Sequence, residues 1–130
     1  GGRFVEIASQ AGVVDFGSGM SVSWADFDHD GLVDLYVGNM FSAAGNRVSR
    51  QAAFQPQATP ETRQILTRFA KGNTLFRNLG DGSFSDVEEA GGAELGRWAW
   101  SSVFCDLTND GRDDLVVANG YITTDDNQDL

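Results

Sequence analysis

Small or polar residues alternate with bulky apolar ones in Ser21-Val22-Ser23-Trp24-Ala25, and Asp34-Leu35-Tyr36-Val37-Gly38-Asn39 follows as a short run rich in β-branched and aromatic residues. Two-residue periodicity and runs of this length predict β-strands. The same patterns return in Trp98-Ala99-Trp100-Ser101, Ser102-Val103-Phe104 and Asp114-Leu115-Val116-Val117-Ala118-Asn119. Between the two copies, residues 73–87 carry the signature of a hairpin with Asp81-Gly82 at its tip. Asp81 is therefore assigned to a turn and not to metal.

The recurrence is a true repeat. Setting residues 3–40 against 83–120 without a gap gives ten identities in 38, among them Phe4/Phe84, Gly12/Gly92, Ser21/Ser101, Leu35/Leu115, Val37/Val117 and Asn39/Asn119. Such self-similarity points to an architecture in which no single unit buries its own faces. The order strand, loop, strand, connection, hairpin describes a four-stranded antiparallel unit over residues 19–88. A remnant of a preceding fourth strand is expected at Gly2 to Ala8, matching Gly82 to Glu88, with residues 2–18 closing that earlier unit. Residues 98–120 begin the next unit, and 121–130 begin a further connection.

The connection over residues 41–72 differs in composition. It holds Arg47, Arg50, Arg63, Arg68 and Lys71, five of the nine basic residues, against the single acid Glu61. Thr59-Pro60-Glu61 predicts a helix start, with threonine capping and proline at the first position. Ile65, Leu66 and Phe69 are expected on one apolar side of that helix. The segment is expected to pack on the rim of the unit, although long insertions also carry binding surfaces in repeat proteins.

The loops inside the two units carry the candidate chemistry. Asp26-Phe27-Asp28-His29-Asp30-Gly31-Leu32-Val33-Asp34 places aspartates at positions 1, 3, 5 and 9. The frame recurs 80 residues later as Asp106-Leu107-Thr108-Asn109-Asp110-Gly111-Arg112-Asp113-Asp114, with threonine at position 3. Calcium takes six to eight oxygens, and glycine at position 6 permits the sharp turn that points positions 1, 3 and 5 inward. The expected ligands are Asp26, Asp28, Asp30, the Leu32 carbonyl and Asp34, and then Asp106, Thr108, Asp110, the Arg112 carbonyl and Asp114. With Thr108 in place of an aspartate, the second site is expected to be weaker or to rely on a hydroxyl or water. An EF-hand would need an acidic residue at position 12 and a helix afterwards, whereas Val37 and Val117 stand there within strand-like runs.

Composition narrows the function. A formal charge of −10 argues against nucleic acid. Eight of the acids lie in the two loops, and two calcium ions would bring the total to −6. The lone Cys105 excludes an internal disulfide and is expected to be a small buried thiol. No stretch approaches the ~18 apolar residues of a membrane span. The chain shows no signal peptide and lacks an initiator methionine, which reads as a mature form or a fragment. His29, the single histidine, falls at an outward position of its loop. With no paired zinc ligands and no phosphate loop, no catalytic site is assigned and the chain is read as a non-enzyme.

The phrases Gly19-Met20-Ser21-Val22-Ser23-Trp24-Ala25-Asp26-Phe27-Asp28-His29-Asp30-Gly31, Asn73-Thr74-Leu75-Phe76-Arg77-Asn78-Leu79-Gly80-Asp81-Gly82-Ser83-Phe84 and Asp114-Leu115-Val116-Val117-Ala118-Asn119-Gly120 resemble FG-GAP/VCBS repeats. More narrowly, the chain is similar to bacterial members of the cartilage acidic protein (ASPIC/UnbV-associated) group. The resemblance implies an all-β fold of integrin-α-like β-propeller blades, one complete and parts of two neighbours, with calcium between the first and second strands. Because a propeller needs at least ~4 blades, the chain is expected to belong to a longer polypeptide or assembly. Trp98 and Trp100 could stack on sugar rings, but Trp100 shares strand parity with Phe104 and is expected in blade-to-blade packing, leaving Trp98 the more exposed. The reading is a calcium-binding, extracellular or periplasmic module for protein interaction, adhesion or scaffolding. A glycan-binding or polysaccharide-processing propeller and an accessory subunit docking through the basic insertion are the alternatives.

Overall fold

The computed structural model describes residues 2–87 and 92–120. Strands β1 (Gly19–Ala25), β2 (Asp34–Asn39), β3 (Thr74–Asn78) and β4 (Phe84–Asp86) form one antiparallel sheet in the order β1-β2-β3-β4, the arrangement of a propeller blade. A second antiparallel pair, β5 (Ala99–Cys105) and β6 (Asp114–Asn119), begins the next unit. The end of the first unit at Glu88 and the connection at 121–130 lie outside the described residues.

The hairpin is built as its residues require. Leu79 N donates to Ser83 O, and Asp81 accepts from both the backbone N–H and the hydroxyl of Ser83. Gly80 and Gly82 take the positive φ values of 78° and 87° that side chains disfavour.

The two sheets meet through unlike faces. Ser21 and Ser23 of β1 point at β5, where both hydroxyls lie within hydrogen-bond distance of the Ser102 hydroxyl, and Ser23 also donates to its carbonyl at 2.6 Å. Tyr36 of β2 is fully buried, sets its ring edge-on to Phe104 at 6.1 Å, and donates its hydroxyl to Ala93 O at 2.9 Å. Gly38 has no room for a side chain, since an added Cβ would strike Ser21 Oγ and press on Ala99. Small residues here let the strands approach closely. A backbone bond from Phe41 N to Arg97 O and a bridge between Met40 and Trp98 fasten the blade edges.

The insertion forms two helices, α2 (Ala43–Ser49) and α3 (Pro60–Lys71). Thr59 caps α3 by accepting from Thr62 N, with Pro60 in its first turn. The packed side differs from expectation: Ala70 is buried and Leu66 half-buried, while Ile65 and Phe69 stay exposed. Arg68 explains the orientation. It pairs with Asp86 of β4 at 2.7 Å and donates to Thr74 at 2.7 Å, so the helix turns a basic residue toward the blade. Thr74 in turn donates to Asp15, which also accepts from the buried Asn39.

Three further expectations are corrected. Gly2 to Ala8 is not a strand: residues 2–7 carry no regular structure and Ala8 opens the one-turn helix α1 (Ala8–Ala11), because no described strand lies alongside to pair with it. Trp100 is the more exposed tryptophan at 50 %, against 38 % for Trp98. A β-bulge between Ala99 and Ser101 is the cause, since the extra residue breaks the alternation that would have placed Trp100 with Phe104. Cys105 is half-buried, on the strand parity of the exposed Val103.

Tyr36 links the two units, so Tyr36→Phe should cost about 1 kcal/mol through the lost hydrogen bond and Tyr36→Ala about 3–5 kcal/mol through the cavity as well. Urea denaturation of the three chains checks both values.

Candidate metal centre

Each acidic loop joins the first strand of a unit to its second, and its own carboxylates fold it. Asp26 accepts from the backbone N–H groups of Asp30 and Gly31, both at 2.9 Å, and Asp30 Oδ1 accepts from Leu32 N at 2.9 Å. Asp34 Oδ2 closes the loop by accepting from Phe27 N at 3.1 Å. The second loop repeats all four bonds: Asp106 with Asp110 N and Gly111 N, Asp110 with Arg112 N, and Asp114 with Leu107 N.

The backbone matches as closely. Gly31 and Gly111 lie at φ 87° and 83°, and the residues two before them, His29 and Asn109, are also left-handed at 60° and 57°. His29 is exposed, as its outward position implied. Its backbone role was not anticipated, although asparagine at the matched position was a usable signal, because asparagine and histidine tolerate this region better than most side chains.

In the first loop Asp26, Asp28 and Asp34 each bring a carboxylate oxygen to within 4.8 Å of the others. Oxygens on opposite sides of one calcium ion are separated by up to about 5 Å, so the spacing and the hard donor set both suit such an ion. Asp30 is not in this group, and Arg77 pairs with it as well as with Asp28. Leu32, an expected carbonyl ligand, is seated by its N–H bond to Asp30. Among the described residues the second loop forms no equivalent group. Asp106, Asp110 and Asp114 occupy the positions of Asp26, Asp30 and Asp34, and Thr108 stands where Asp28 completes the first cluster.

Two residues of β3 join this site and were read only as part of the hairpin. Asn78 N donates to Asp34 Oδ1 at 2.7 Å and its side chain donates to Val33 O at 2.9 Å. Arg77 reaches Asp28 at 2.7 Å and Asp30 at 3.2 Å. Both follow the strand-forming Leu75-Phe76, and only the pairing of β2 with β3 shows that this strand ends against the loop.

Residues 64–117 match the FG-GAP-like repeat family and residues 18–49 match the FG-GAP repeat family. The chain is an FG-GAP repeat protein. Both loops fall within the matched segments, and the FG-GAP unit here is the strand–loop–strand element followed by the hairpin. Comparison with curated proteins and with solved structures gave no match.

The carboxylates of the two FG-GAP loops titrate differently. Burial raises the pKa of Asp34; bonds from Asn78 N and Phe27 N offset part of that, and the charges of Asp28 and Asp30 add to it. The Asp106 carboxyl is held below its ordinary value, chiefly by the bond from Gly111 N. Asp34 thus favours the fold most below its unfolded pKa, a contribution lost as pH rises through its folded one. Asp106 contributes above its unfolded pKa and loses that contribution as pH falls through its folded value. Carboxyl-detected NMR titration in EDTA should show Asp34 titrating above, and Asp106 below, the 3.8 of a free aspartate.

Proposed function

We propose that this chain is a calcium-stabilised segment of an extracellular or periplasmic β-propeller that serves protein interaction, adhesion or scaffolding. FG-GAP repeats are associated with propeller-type interaction modules, and the convergence of Asp26, Asp28 and Asp34 carries the calcium part of the reading. The ion's role is structural. It would neutralise carboxylates that otherwise repel one another and hold the end of β1 to the start of β2. Extracellular calcium modules bind at roughly 10⁻⁴ to 10⁻³ M, which suits a site of few ligands outside the cytosol. No described helix is long and apolar enough to cross a membrane. The likeness to the cartilage acidic protein group rests on the sequence phrases, and membership of a larger assembly accords with the exposed Val22 and Trp24 on the outer face of β1.

The insertion supplies a surface for a partner. Arg47, Arg50 and Lys71 line an open cleft with Phe41, Leu95 and Glu94, and none of the three cations has an ion pair among the described residues. An acidic protein surface is the complementary partner, and the interaction is non-catalytic. A glycan-binding reading is favoured by one observation, the exposed pair Trp98 and Trp100 with ring centroids 6.3 Å apart. Retention of a polysaccharide on affinity electrophoresis, abolished by Trp98→Ala, would move the assignment to that reading.

Calcium at about a hundred times its Kd should stabilise the fold by about 2.7 kcal/mol, raising Tm by roughly 10 °C over the protein in EDTA. Asp28→Asn should remove most of that rise, whereas Thr108→Asp should enlarge it by completing the second loop. An identical Tm with calcium and with EDTA would sink the structural role.

A further inference from the structure

The five cations of the insertion fall into two groups. Arg68 pairs with Asp86 and Arg63 donates to Gln55 O, so both are committed within the fold. Arg47, Arg50 and Lys71 have no ion pair among the described residues, and all three line one open cleft of about 530 Å³, a volume within the range of ligand sites. Its helical side is held in place by the fold itself. Asn46 donates from its side chain to Ala70 O at 2.6 Å, Ser42 N donates to the same carbonyl, and a Cβ added at Gly45 would lie 3.0 Å from that of Ala70. Glu94 and Leu95, from the segment leading to β5, complete the lining. Leu95 is exposed, and Glu94 Oε2 is buried with no hydrogen-bond partner among the described residues.

We propose that this cleft holds a short acidic peptide segment of the partner, with its carboxylates on Arg47, Arg50 and Lys71, an aliphatic side chain against Leu95 and a backbone N–H on Glu94 Oε2. The proposal rests on the interaction reading above and narrows the partner from an acidic surface to a linear segment that enters the cleft. Charge sets both the sign and the length. Residues 41–72 hold five basic residues and one acid, a net of +4 in a chain whose total is −10. An acid is attracted here and repelled over the rest of the chain, so a long polyanion gains little beyond the cleft. Screening limits the attraction to about 8 Å at physiological salt. Two of the three cations are arginines, whose planar forks take carboxylates bidentately. A peptide also answers the uncharged needs of the lining. A buried acceptor left unpaired is costly; a peptide N–H supplies the donor, and an aliphatic side chain covers the leucine. An anionic polysaccharide fits less well, because sugar rings stack on open aromatic faces and Phe41, the one aromatic residue of the lining, is half-buried. The rival is a purely helical role, since Arg47 and Lys71 stand in the last turns of α2 and α3, where cations favour helix ends. That role accounts for neither the leucine nor the buried Glu94 oxygen.

The test uses the whole chain and a fluorescein-labelled short peptide of glutamate and leucine, read by anisotropy in EDTA so that calcium cannot bridge the peptide to the acidic loops, with the fold checked by circular dichroism. A glutamine-for-glutamate peptide, polyglucuronate and ovalbumin, a folded acidic protein, are the comparison probes. The acidic peptide should bind at least about tenfold tighter than the neutral one, the product of several solvated ion pairs. Raising salt from about 0.1 to about 1 M should remove that difference as the screening length falls to about 3 Å. Arg47→Gln and Lys71→Gln should each weaken binding about three- to fivefold, whereas Arg63→Gln, outside the cleft, should change it by less than about 1.5-fold. Leu95→Ser should cost about threefold through lost apolar contact. Equal binding of the acidic and neutral peptides would overturn the proposal. So would a loss on Arg63→Gln equal to that on Arg47→Gln, which would place the attraction in the diffuse charge of the insertion. Polyglucuronate bound more tightly than the peptide, and released by Arg47→Gln, would overturn it in favour of a glycan. Ovalbumin bound through Arg47 while the peptide is not would overturn the linear segment and leave the acidic-surface reading standing. If no probe binds and Arg47→Gln and Lys71→Gln only lower Tm, the cations serve the helix ends, and the proposal and that surface reading fall together.

Discussion

The fold around the first loop depends on one buried carboxylate. Asp34 is fully buried at the first position of β2, where it satisfies Phe27 N at the start of the loop and Asn78 N at the end of β3. These two donors belong to different parts of the blade, and leaving a buried donor unpaired costs about 1–3 kcal/mol. One side chain thus closes the loop upon itself and ties it to the neighbouring strand. Its charge is disfavoured by burial and by Asp28 and Asp30, and that cost is what a cation at the cluster would relieve.

The second loop separates what shapes the backbone from what gathers charge. It repeats each of the four bonds that the first loop's carboxylates make within the loop and the same pair of left-handed residues, although Thr108 replaces an aspartate and no three-carboxylate cluster forms among the described residues. Positions 1, 5 and 9 therefore fold the loop, whereas position 3 makes no bond to the loop's own backbone in either copy. It is the position most free to be spent on a ligand, and its identity distinguishes the two copies.

Besides the repeat, which is read by comparing the chain with itself, features set by short-range chemistry were legible in the sequence: the strand runs, the Asp81-Gly82 turn and the Thr59-Pro60 helix start. Each depends on residues within a few positions of one another. What escaped depends on long-range placement. Arg77 and Asn78 look like ordinary hairpin residues until β3 is laid beside β2. The exposure of Trp100 follows from a bulge, which changes side-chain parity through one extra residue and leaves no mark in composition. The burial of Ala70 in preference to Phe69 follows from Arg68 seeking Asp86, a tertiary ion pair that a helical pattern of apolar residues does not encode. Gly2 to Ala8 resembles a strand in sequence, but a strand exists only where another backbone can receive its hydrogen bonds.

The serine face of β1 has a geometric consequence for assembly. Ser21 and Ser23 receive Ser102 from the following unit and Tyr36 receives Phe104, and the first unit's equivalents of that pair, Val22 and Trp24, stand exposed at 57 % and 56 %. One side of the blade is a socket and the other is the plug that fits a socket of the same kind. Such a contact is heterologous. It propagates in one direction around a ring, and a two-fold pairing of blades would set socket against socket, or plug against plug, with neither filled.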